Sequence, residues 1–338
     1  MKCVKVPLKE LNNTRIKLME NNLMNMEYKI KAEKEYGYIP IDDDIDGYEI
    51  VDIDLEPMKK VPHNFSELLK DELTDEEIEN LRTSFDTIGD IVILEIPEEL
   101  VDRKQIIGDA ALKFTKRRSI YMKKSAIKGT TRIRDLEFLS GVDDSVTIHK
   151  EHGARLKLDV REVYFSPRLA TERKRVMQSV ENGEKILDMF CGIGPFPIVI
   201  AKNRKVDIAA VDINESAIKY LNENIRLNKL EGHITTYCGD VREVSKSFKM
   251  KFDRIIMNLP GLAYTFLDVG IDLIEDGGVI NYYEFSDSYE SGIKRIEDAC
   301  KQVGKRAEII NTRKVKSTSP GEWHVAIDAK IKKKIRNY

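Results

Sequence analysis

The residues best suited to chemistry stand in DMFCGIGPF, where Asp188, Phe190, Gly192 and Gly194 follow the apolar run ending at Leu187. In a doubly wound sheet this is the carboxyl edge of the first strand, where ligands bind and glycine lets the backbone approach them. A dinucleotide fingerprint would place a third Gly or Ala at position 197 to pack a helix on pyrophosphate, but Pro197 stands there. With no diphosphate to hold, the turn suits an adenosine derivative such as S-adenosylmethionine, with Asp188 near its amino group. Asp212 lies 20 residues after Gly192, at the end of the next apolar run, where a carboxylate accepts both ribose hydroxyls. Asp240 follows a third run, and with the Val241 amide it could meet the adenine edge. Each Asp alone could be only a helix cap. Three at successive strand ends beside a glycine turn favour a ligand. A fourth run ends in Asn258-Leu259-Pro260-Gly261. Gly261 stands where an aromatic would clamp an exocyclic amine, so Asn258 faces either the cofactor or a target base.

These positions need a parallel sheet, and the pattern after Arg168 supplies one: a helix, then strands at Lys185 to Asp188, Ile208 to Asp212, Ile234 to Cys238, Arg254 to Asn258 and Val279 to Phe285, separated by helical segments. Strands at Ala307 to Lys316 and His324 to Ile331 flank Ser317 to Trp323, a span suited to a hairpin. The fold class expected is α/β: a doubly wound, Rossmann-like domain at 164–338 with an antiparallel C-terminal hairpin, plus two smaller α+β domains. Residues 1–58 form the first, 59–65 a linker with Pro62, and 66–163 the second. In the second, Ser66 is the expected helix cap, Asp86 to Ile96 holds a buried strand, Pro97 opens a helix reaching Lys116, and Val146 to Tyr164 forms two strands around a His-Gly turn.

The sequence has 338 residues, 41% apolar and 34% charged, enough for several cores. Its uncharged runs are too short for a membrane span, and its N-terminus lacks a secretory apolar region, so a cytoplasmic protein is expected. Its four Cys and five His make no zinc pattern, so no metal is expected. Net charge is −2, yet Asp42 to Glu56 holds eight acids and Lys113 to Arg134 nine bases. Lys116, Arg117, Arg118, Lys123, Lys124, Lys128 and Arg134 are therefore candidate contacts to a polyanion, or else a solvated surface.

Together with TIHKE at 147–151, VYFSPRL at 163–169 and MNLPG at 257–261, these motifs resemble the archaeal and eukaryotic tRNA (guanine-37, N1)-methyltransferase family over essentially the whole chain. The resemblance implies a class I S-adenosylmethionine-dependent enzyme acting beside the anticodon, with residues 1–58 recognising tRNA and 66–163 binding RNA. It places a general base at Glu172, a substrate-orienting arginine at Arg132 and an active-site asparagine at Asn258. It puts cofactor contacts at Arg173, Asp212, Ile213, Asn214, Asp240, Val241 and Asn258, with Tyr164 to Arg168 lining the cavity. Cys191 and Pro197 depart from the small residues usual there. Guanine N1 carries a proton, so methylation needs a base and a cation to meet charge gathering on O6. Glu172 and Arg132 fit those parts; otherwise Glu172 is an ion-pair partner of Arg175 and Arg132 a phosphate contact. The expected partner is tRNA, with no obligate protein partner and a monomeric enzyme. A wyosine-pathway methyl- or aminocarboxypropyltransferase, a non-catalytic RNA binder and a nucleotide-dependent dehydrogenase are the alternatives.

Overall fold

Alternation in KCVKVP buries Cys3, Val4 and Val6 on one face of a strand, and this face begins the first of two compact units, Met1–His63 and Asn64–Tyr338. The structure, a computed structural model, describes residues 1–58, 62–124 and 135–334. In the first unit β1 (Lys2–Pro7) leads into α1 (Leu8–Glu20), then β2 (Lys31–Glu33), β3 (Tyr36–Pro40) and β4 (Glu49–Asp52). The sheet is antiparallel in the order β2-β3-β1-β4, around Val4, Val6, Leu18, Ile39 and Ile41. The acidic stretch is partly neutralised within this unit, by Lys2 on Asp44 at 3.1 Å, Lys5 on Glu49 at 2.9 Å and Lys29 on Glu56 at 2.7 Å.

The second unit opens with a 3-10 turn, Phe65–Leu69. Its cap is Asn64, whose side chain accepts from the Ser66 N–H at 2.9 Å, so Ser66 lies inside the turn it was expected to cap. After α2 (Asp75–Asn80), residues 85–94 form two strands, β5 (Phe85–Ile88) and β6 (Ile91–Leu94), where one was expected. Gly89 takes φ +58°, and the reversal is tight enough to leave only Asp90 beside it. A 3-10 segment, Glu98–Arg103, precedes α3 (Lys104–Thr115), which crosses over to β7 (Ser119–Lys123) parallel to β6, and β8 (Leu136–Gly141) closes the sheet. The hairpin β9 (Val146–Glu151) and β10 (Ala154–Asp159) turns at His152 and Gly153, both at positive φ.

The large sheet follows α4 (Ala170–Ser179). Its elements are β11 (Lys185–Asp188), α5 (Pro195–Asn203), β12 (Asp207–Asp212), α6 (Glu215–Leu227), β13 (His233–Cys238), α7 (Val241–Val244), β14 (Phe252–Met257), α8 (Leu267–Leu273), β15 (Ile274–Ser286), α9 (Glu290–Gln302), β16 (Lys305–Ser319) and β17 (Glu322–Lys333). The order is β13-β12-β11-β14-β15-β17-β16; the first five are parallel, and β17 is antiparallel to both neighbours. The order reverses between β11 and β14, which opens a crevice at their carboxyl ends. The terminal hairpin is tighter than the span 317–323 allowed, because the strands run to Ser319 and from Glu322.

Asn224 of α6, fully buried, accepts from the Lys157 N–H at 2.6 Å and donates to the Lys157 and Ile193 carbonyls. It fastens β10 to the large sheet, and Leu156 and Leu158 share one core with Ile91, Tyr121, Ile186 and Ile198. The expected boundary at 163/164 thus falls inside a continuous core.

Candidate active site

The turn after β11 is built to hold an unusual backbone path. Gly194 takes φ +82°, and a Cβ there would stand 2.2 Å from Leu221 Cδ1, so glycine lets α6 pack against the start of α5. Gly192, at φ +54°, donates its N–H to Asp212 Oδ2 at 2.7 Å, while the Asn214 N–H donates to Oδ1 at 2.9 Å. Asp212 is thereby aimed from the end of β12 by the backbone on both sides. Asn214 caps α6, accepting from the Ser216 N–H at 3.0 Å, and its amide donates to the Glu162 carbonyl at 3.2 Å. Asp240 caps α7, accepting from the Arg242 N–H at 2.8 Å.

Asp212, Asn214 and Asp240 line a cavity of about 360 Å³ at the crevice, with Tyr164, Arg173, Phe190, Gly192, Ile213, Val241 and Asn258 also on its wall. That is room for a cofactor-sized ligand. Phe190 packs edge-on against Phe266 at 5.0 Å, and the Arg242 guanidinium lies 3.8 Å over the Phe266 ring. Asn258 Oδ1 is buried and accepts no hydrogen bond from the described residues. A buried acceptor left open costs about 1–3 kcal/mol, which an incoming N–H donor would recover. The acceptors Asp212, Asp240 and Asn258, with the Val241 amide as donor, fit a nucleoside with an attached amino group.

Three expected contacts lie off this wall. Asp188 is buried beneath it, accepting from the Phe190 N–H at 3.2 Å. Burial pushes its carboxyl up to about 8, with the nearby Asp212 charge adding to the rise and the Phe190 bond opposing it. Gly194 shapes the turn from behind. Arg168 points to Asp86, Nε to Oδ1 at 2.5 Å. Arg173 does reach the wall, gripped by Glu151 in two bonds of 2.5 Å and donating to the Ser166 carbonyl at 3.0 Å.

Glu172 points away from the cavity into a buried polar cluster and is 1% exposed. Arg175 donates to it from Nη2 at 2.7 Å and Nε at 3.0 Å, and the Tyr283 hydroxyl donates at 2.8 Å. The ion pair with Arg175 is present, while its helix neighbours Leu169 and Arg173 are on the cavity wall. Burial pushes the Tyr283 hydroxyl far up, so it stays a donor.

Lys116, which ends α3 in the left-handed conformation, and Arg117 are exposed, and Lys124 is 3.7 Å from Glu137. Arg118 is committed inside the fold to Asp90 at 2.7 Å, to Asp144 and to the Val146 carbonyl at 2.6 Å. Lys123 reaches Glu95 at 3.2 Å. Arg118 and Lys123 therefore act as internal pins. Lys128, Arg132 and Arg134 lie outside the described residues. Sequence reasoning missed Phe285, Lys316 and His324 on the cavity wall. Lys316 and His324 pair across the terminal hairpin, and Phe285 also pairs with His324. Only the register, which no motif encodes, could have placed them there.

The strand order and the acid-lined crevice define a Rossmann-like methyltransferase of the class I, S-adenosylmethionine-dependent kind. Comparison with known proteins narrows the class. The chain belongs to the TRM5/TYW2 methyltransferase family: the pattern described as "TRM5/TYW2 methyltransferase domain" matches residues 147–310, "TYW2 N-terminal domain" residues 65–145 and "tRNA methyltransferase 5 N-terminal domain" residues 3–49. It is 43% identical to the tRNA (guanine(37)-N(1))-methyltransferase Trm5b of Pyrococcus abyssi, over 97% of this chain and 98% of that one. The structure titled as the complex of aTrm5 and tRNALeu superposes with a TM-score of 0.80 at 40% identity, covering 98% of this chain and 99% of that one. The tRNA(Phe) (4-demethylwyosine(37)-C(7)) aminocarboxypropyltransferase of Pyrococcus horikoshii is 32% identical over 78% of this chain and 95% of its own.

Proposed function

We propose that this chain transfers the methyl group of S-adenosylmethionine to N1 of guanosine 37 in tRNA. The observation that carries the reading is the likeness to the tRNA (guanine(37)-N(1))-methyltransferase Trm5b over nearly the full length of both chains. The aminocarboxypropyltransferase leaves about a fifth of this chain unmatched. When bound, the cofactor supplies an electrophilic methyl group. Asp212 accepts the ribose hydroxyls, Asp240 and the Val241 amide meet the adenine edge, and Ile213, Phe190, Tyr164 and Arg173 wall the site. The open Asn258 acceptor takes an N–H of the methionine part or of the target base. Glu172 takes the proton from guanine N1, turning from Arg175 toward the wall that Leu169 and Arg173 already form. Following the family resemblance, Arg132 meets the charge on O6. Lys116, Arg117 and Lys124 contact tRNA phosphates, and residues 1–58 recognise the tRNA body.

All four Cys are free thiols, in keeping with a cytoplasmic enzyme. We further propose that the enzyme acts as a monomer. No helix among the described residues is long and apolar enough to cross a membrane. The test is incubation with the cofactor and a G37 tRNA transcript, followed by nuclease digestion and mass spectrometry. The expected product is 1-methylguanosine, absent when position 37 is adenosine. Methylation elsewhere, or an aminocarboxypropyl product on a wyosine-precursor tRNA alone, overturns the reading.

A further inference from the structure

We propose that Asp328 is a positioning residue that keeps Arg175 charge-balanced while Glu172 takes up the proton of guanine N1. This rests on Glu172 being the base. Arg175 of α4 donates to two carboxylates at once: to Glu172 as described, and to Asp328 of β17 from Nη1 at 2.6 Å and Nη2 at 3.1 Å. Asp328 also accepts from the Asn281 amide of β15 at 2.6 Å and from the Asn311 amide of β16 at 3.1 Å. Glu172 otherwise faces the Tyr283 hydroxyl of β15 and Arg313 of β16, whose Nε is 3.7 Å away. Behind Asn281, Arg254 of β14 is held by Glu184 at 2.8 Å.

Were Glu172 the sole partner of Arg175, protonating it or swinging it toward the cavity would strand a cation that is only about a fifth exposed, an unfavourable event. Two carboxylates share this arginine, so one negative charge is in excess. The other nearby cation, Arg313, is a third exposed, and solvent screens its pull. Of the two acids, Asp328 is tied by two amide donors as well as by Arg175, whereas Glu172 stands between Leu169 and Arg173 of the cavity wall. The proton therefore goes to Glu172: the N1–H bond breaks, an O–H bond forms on Glu172, and Arg175 stays paired with Asp328. Asn281 and Asp328 are buried polar residues with apolar neighbours in the chain, Ile280 and Tyr282 for the first and Ile327 and Ala329 for the second.

The experiment is the pH dependence of single-turnover methyl transfer at saturating tRNA and cofactor, for the wild type and three variants, with melting temperature and cofactor affinity measured on each. Asp328→Asn leaves Arg175 with Glu172 alone, so the midpoint of the profile should move to lower pH by about one unit and the plateau rate fall about tenfold. Arg175→Met leaves two acids side by side, so its midpoint should move the other way. Midpoints equal to wild type in folded variants overturn the proposal. If Asp328→Asn fails to fold, Arg175→Met decides alone, and an unmoved or acid-shifted midpoint overturns it. Glu172→Gln separates the two ideas. A near-normal rate and pH profile in that variant removes the base assignment itself, whereas an inactive Gln variant beside unmoved midpoints in the others removes only Asp328's role.

Discussion

At the scale of single residues, Asp212 does two jobs, which makes its removal costly in a definable way. Asp212→Ala deletes a bidentate acceptor and also frees the Gly192 and Asn214 amides that it holds. Cofactor binding should weaken by about 2–3 kcal/mol, the value of hydrogen bonds to a charged group. Calorimetric titration of a folded variant with unchanged affinity would refute the ribose assignment. Asp188 makes a different prediction. Its folded carboxyl is raised to about 8, so it is protonated in the folded protein at neutral pH and ionised in the unfolded chain. The folded state binds the extra proton, so this group's contribution is fully present below the unfolded value and is lost as pH rises toward 8. Asp188→Asn keeps the acceptor for Phe190 without that ionisation. Relative to wild type it should gain roughly 3 kcal/mol of stability between pH 5 and pH 8, read from denaturant melts at both pH values. A constant difference would show that Asp188 is ionised when folded. The spacing from Gly192 made Asp212 legible in the sequence, because strand-end positions follow from the βαβ rhythm. The burial of Asp188 was not legible, since it depends on what covers the turn. Nor were the partners of Arg168 and Arg118, which come from 82 and 28 residues away.

At the scale of elements, the seven strands of the large sheet fall where apolar runs meet Gly, Asp and Asn punctuation, and the doubly wound class with its terminal hairpin follows from them. Such runs are readable because strands buried on both faces have little choice of residue. Local reading fails where one residue decides. Gly89 turns an apparent single strand into β5 and β6, and Asn64 takes the cap expected of Ser66. It fails again where register decides, as for Lys316, His324 and the Glu172 cluster. Gly194 offers a test of the turn between β11 and α5. In Gly194→Ala the added methyl meets Leu221, and an L-residue must hold φ +82°. The left-handed conformation alone costs about 1–2 kcal/mol, so the loss of stability should be about 2 kcal/mol or more. Urea melts would measure it. A neutral substitution would mean that α6 can give way, and that the close packing of the turn is not required.

At the scale of the molecule, the charge pattern and the division into two compact units can be tested separately. The net charge of −2 hides a basic stretch whose described members turned to solvent include Lys116, Arg117 and Lys124. Reversing all three should lower the salt slope of tRNA binding by about 2–3 units, at somewhat under one unit per phosphate contact, and an unchanged slope would make them a solvated surface. The first unit has its own core of Val4, Val6, Leu18, Ile39 and Ile41, and the second has a core that is complete without them. Removing residues 1–63 should therefore leave the second unit folded, with its cofactor cavity intact. If the first unit holds a part of tRNA beyond the anticodon arm, it raises the effective concentration of the target nucleotide at the cavity without touching the chemistry. Its loss should then lower kcat/KM for whole tRNA by about tenfold or more while sparing an anticodon stem-loop, so that the two substrates become equivalent. A truncated enzyme that still prefers whole tRNA as strongly as the full chain would show that recognition of the tRNA body lies in the second unit.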